Sequence, residues 1–87
     1  MSDPRRAPGA DLSLWVEHLT ERLSVGPELV DEDRLLELSS DVAHAVARPA
    51  VPVSMFVAGL AAAGRTPQEV AALLVQVEDL AHAWGDE

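Results

Sequence analysis

Eighty-seven residues are enough for one small domain, which buries roughly 60–70% of the surface that its unfolded chain exposes, and a formal net charge of −9 excludes the clustered cationic surface that nucleic acid requires. Cysteine, lysine and tyrosine are all absent. A disulfide framework, a zinc–thiolate site, a Schiff-base amine, a phosphate-loop lysine and a phenolic acid are therefore excluded together.

Residues 1–10 carry Arg5 and Arg6 but no apolar segment, so they read as a disordered arm and not as a secretory signal or membrane anchor. Residues 11–85 read as a single all-α domain, a compact four-helix bundle. Helix one is expected to begin near Asp11, whose side chain would accept from the first backbone N–H groups, and to end around Ser24 to Gly26. Its apolar stripe is Leu12, Trp15, Val16, Leu19 and Leu23.

Helix two opens in the acidic cluster Asp31, Glu32 and Asp33, where negative charge suits the positive end of the helix dipole. Its stripe is Leu35, Leu38, Val42, Ala45 and Val46, and Pro49 is expected to stop it. Pro52 is expected at the first position of helix three, where its missing N–H forfeits nothing, and Gly64 closes that helix. Helix four has the clearest local signature. Thr66 supplies a cap hydroxyl, Pro67 the first helical residue and Glu69 a capping-box carboxylate, ahead of the stripe Val70, Leu73, Leu74, Val77, Ala81 and Trp84.

Helix three is apolar nearly all round, which predicts a central element covered by the others, with Gly59 and Ala63 allowing a neighbour to approach closely. The alternative is that part of it stays exposed as a partner groove or a homodimer face. The apolar run from Ala50 to Gly64 falls short of the ~20 residues that span a bilayer, so a soluble, cytoplasmic chain is expected.

On helix two Glu37, Asp41, His44 and Arg48 recur at helical spacing and would line one face, opposite Leu35 and Val42. A solvated stripe, with Asp41 assisting His44 and Arg48 offsetting the negative helix end, accounts for them structurally. The functional reading is that Arg48, at a rigid turn before Pro49, offers a guanidinium to a carboxylate or phosphate beside the titratable His44. The Asp-x-x-His pairs Asp41–His44 and Asp79–His82 fall away from the apolar stripes, and the full ligand set of a bundle metal site is missing, so no metal is assigned. No Gly-x-Ser-x-Gly elbow and no glycine-rich phosphate loop is present, so no catalytic or cofactor-binding residue is assigned either. Trp15 and Trp84 are expected in the core.

The segment from Leu35 to Leu60, above all Val42-Ala43-His44, Val46, Arg48-Pro49-Ala50, Pro52 and Phe56 to Leu60, resembles a small helical domain of unknown function from high-GC Gram-positive bacteria. That family occurs alone or associated with A-type nucleotidyltransferases of molybdopterin-guanine dinucleotide biosynthesis. The resemblance implies an accessory role in molybdenum-cofactor maturation, with the His-x-x-x-Arg-Pro signature falling on His44, Arg48 and Pro49.

The reading that combines these observations is a non-catalytic accessory domain that docks on such a nucleotidyltransferase through Asp41, His44, Arg48, Pro49 and Pro52. Two readings from other classes stand beside it. One is a small-molecule or phosphate-ligand binder using His44 and Arg48 in a concave site. The other is a homodimer through helix three, with Val53, Val57 and Ala61 buried only in the pair.

Overall fold

The computed structural model of the protein describes residues 11–86. Among them the chain is all-α, with four α-helices and no strand: α1 Leu12–Arg22, α2 Glu32–Ala45, α3 Ala50–Ala62 and α4 Pro67–Gly85. The arm expected over residues 1–10 lies outside the described residues. The chain divides into two compact units, Met1–Val30 and Asp31–Glu87.

In the first unit α1 is followed by a single 3₁₀ turn, Pro27–Leu29, against which it packs. Asp11 is the N-cap, but its φ of −99° and ψ of 9° depart from the extended backbone that aims a cap side chain at the helix, and no side-chain cap hydrogen bond forms. At the other end Ser24 adopts a left-handed φ of 57°, allowing Val25 N–H to donate to Thr20 O at 2.8 Å and Ser24 N–H to Glu21 O at 3.3 Å. This double bond satisfies carbonyls that the last turn would otherwise leave unpaired, a role glycine more often fills. The expected stripe of α1 is not a buried one. Trp15, Leu19 and Leu23 are exposed, and the buried residue of the helix is Thr20, whose hydroxyl donates to Glu17 O at 3.1 Å.

The second unit is built on α2 and α4, which share the most extensive contact, with α3 packed against both. Asp31 has the extended backbone that Asp11 lacks, and its carboxylate accepts from Arg34 N–H at 3.1 Å. The core follows the expected stripes: Leu38 and Val42 are 0% and 1% exposed and cluster with Leu74 and Ala81, flanked by Leu35, Ala45, Met55, Val70 and Val77. Val46, just past the helix, is exposed.

Helix α4 opens as its sequence requires. Thr66 Oγ1 accepts from Glu69 N–H at 3.2 Å while Glu69 Oε1 accepts from Thr66 N–H at 2.9 Å, with Pro67 at the first helical position. The Thr66 backbone N–H first, then its hydroxyl, hold the Glu69 carboxyl below its ordinary value, with a smaller contribution from the charge of Arg65.

Three boundaries or packings differ from expectation. Helix α2 ends at Ala45, before Pro49 can act, because Val46 leaves helical geometry with a φ of −114° and a ψ of −77°, and Val46 and Ala47 N–H both donate to Val42 O. Helix α3 starts at Ala50, so Pro52 is its third residue and Pro49 its N-cap. The third position costs no more than the first, since the opening N–H groups of a helix lack intrahelical partners. The close approach assigned to Gly59 and Ala63 occurs elsewhere. A Cβ on Gly59 would meet nothing within 4 Å, whereas one on Gly85 would lie 2.8 Å from Ala45 O, where the end of α4 lies against the end of α2.

Two outcomes follow from this packing. Gly85→Ala lowers stability by about 1–3 kcal/mol because backbone must move, whereas Gly59→Ala raises it by roughly 0.5–1 kcal/mol; urea denaturation of both variants measures the contrast. Since the folded pKa of Glu69 is depressed, its contribution to stability is present above the ordinary carboxylate range and is lost as pH falls through the lowered value. The gap in thermal midpoint between wild type and Glu69→Gln should therefore be widest near neutrality and close in acid, as followed by circular dichroism.

Candidate interaction surface

The residues singled out in the sequence occupy three settings. His44 is exposed in the last turn of α2, and its Nδ1 lies 2.7 Å from the Ser40 carbonyl oxygen. A carbonyl only accepts, so Nδ1 carries the proton and Nε2 is the ring's second polar atom. The assistance expected from Asp41 is absent: Ser40, one turn earlier on the same helix, is the partner of this ring.

Asp41 belongs to a different constellation. Carboxylate oxygens of Glu37, Asp41 and Glu78 lie within 4.8 Å of one another. Arg34 Nη1 reaches Glu37 Oε1 at 3.4 Å and Glu78 Oε2 at 3.3 Å, so one guanidinium spans α2 and α4 and offsets the carboxylates gathered there. Such a cluster is a structural ion-pair network, and its donors already face a cation.

Arg48 and Pro49 lie in the turn into α3 and Pro52 in the first turn of that helix, and all three are exposed. Arg48 lies beyond the end of α2, so it does not continue the Glu37, Asp41 and His44 spacing on a helical face. Its carbonyl accepts from Val51 N–H at 3.1 Å, and that of Ala47 accepts from Ala50 N–H at 3.1 Å, which closes the turn in the absence of a side-chain cap. No ion pair is formed by Arg48 among the described residues. Pro49 fixes φ directly after Arg48, so Arg48 precedes a stiff helix start.

Helix α3 carries a row of exposed apolar side chains. Its thirteen residues contain no charged side chain. Val51, Met55, Ala58 and Ala62 turn toward the rest of the unit, and Ala58 is the one fully buried residue of the helix. Val53, Phe56, Val57 and Leu60, at positions i, i+3, i+4 and i+7, share the opposite face and are 65%, 68%, 59% and 64% exposed. Within the unit 31–87, helix three is packed against α2 and α4 on one side and exposed on the other, so it is not the covered central element of that unit.

Beside this face runs an open groove of about 640 Å³ between α3 and α4, bounded by Val46, Val53, Val57, Leu73, Leu80 and Trp84, with Arg65 and Gln76 as polar members of its lining. Trp84 is 65% exposed and Trp15 56%, so neither tryptophan fills the core as expected. None of Asp41, His44, Arg48, Pro49 or Pro52 lines the groove. The sequence reading placed Trp84 in the core because its stripe also contains Leu74 and Ala81, and periodicity does not tell the buried half of a broad stripe from its wet edge; Leu80 was not singled out from sequence.

The family model of a domain of unknown function, DUF6457, matches residues 7–87. The chain belongs to that family. No curated protein and no solved structure matches it. The match spans every element of this DUF6457 domain, from α1 to the end of α4, and so includes both the 46–52 turn and the bare face of α3.

The Arg34 network makes a specific statement about stability. Arg34→Met leaves Glu37 and Glu78 without their shared cation, beside Asp41, and should lower stability by up to about 1 kcal/mol, and adding Glu78→Gln should recover part of that loss. Urea denaturation across the double-mutant cycle reads the coupling; simple additivity would mean that the guanidinium does not hold the carboxylates.

Proposed function

We propose that this DUF6457 domain is a non-catalytic helical accessory module that docks on another protein, with the segment from Asp41 to Pro52 at the contact. The observation that supports it most is the turn between α2 and α3. Arg48 stands there exposed and without an ion pair among the described residues, beside exposed Val46, Pro49 and Pro52, with the second ring nitrogen of His44 one turn away. A guanidinium on a stiff turn next to apolar side chains is the arrangement found at interface anchors, where arginine supplies directional hydrogen bonds and neighbouring apolar groups exclude water.

The partner we put forward is an A-type nucleotidyltransferase of molybdenum-cofactor synthesis. This rests on the resemblance of Leu35 to Leu60 described above and draws nothing from the geometry. The small-molecule or phosphate-binding reading has less in its favour, because His44 and Arg48 lie outside the groove and do not converge on it. No helix among the described residues is long and apolar enough to cross a membrane, which leaves a soluble partner compatible.

An amide NMR titration of the isotope-labelled chain with the nucleotidyltransferase tests this. Shifts should cluster in residues 41–52, and Arg48→Ala should weaken capture at least about tenfold with an unchanged melting temperature, as expected for a truncated interface anchor. A spectrum that does not move at saturating partner would remove that partner. Lost stability with capture intact would make Arg48 a structural turn residue.

A further inference from the structure

We draw no further inference here: the strongest candidate, the apolar groove between α3 and α4 that Val53, Val57, Leu80 and Trp84 line, carries none because nothing in the structure shows what covers it.

Discussion

The packing of Leu38 and Val42 on α2 against Leu74 and Ala81 on α4 is the contact on which the unit 31–87 depends. It fixes the two helices closely enough that their ends touch at Ala45 and Gly85, and it brings Arg34 within reach of Glu78. Because α2 and α4 already satisfy one another, α3 needs to offer them only one side, through Ala58, Met55 and Val51. A helix with apolar residues all round then turns a second face away from α2 and α4. Exposed apolar side chains stand on α1 and its C-cap and on α4 as well, at Leu14, Trp15 and Leu23 and at Leu80 and Trp84.

That distribution separates structural from available groups. Much of the polar stripe of α2 is engaged within the chain: Arg34 pairs with Glu37 and Glu78, Asp41 lies beside those two carboxylates, and His44 is anchored to the Ser40 carbonyl. Arg48, directly before Pro49, and the uncharged exposed residues of α3 are among the groups left outward. Neither resembles a catalytic constellation, since no pair of titratable groups converges on a shared position in the groove and its lining is mostly aliphatic. The docking role proposed for this domain draws on the first of these two features.

How legible this was in the sequence varied with the range of the interaction. The α4 capping box needs only Thr66 and Glu69 three residues apart, and it formed as written; the leucine and valine stripes of α2 and α4 likewise marked their buried faces. The end of α2 was misplaced because Pro49 is a strong breaker on paper, while the backbone departs already at Val46. Gly85 escaped notice because its role depends on Ala45, forty residues earlier in the chain and visible only when two helix ends meet. The two tryptophans were assigned inward on size and spacing, yet a side chain at the edge of a stripe is buried only if something covers it. Of the proposed contact residues, Pro49 and Arg48 were readable as a stiff turn, but that Arg48 leaves the helical face of Asp41 and His44 was not.

The most direct measurement is methyl relaxation from a soluble paramagnetic agent on the isotope-labelled chain. If the α2–α4 contact holds the unit together, the methyls of Leu38, Val42 and Leu74 are protected while those of Leu36 and Val75 on the same two helices relax strongly. A Leu38 or Leu74 methyl that relaxes as fast as those of Leu36 would contradict it.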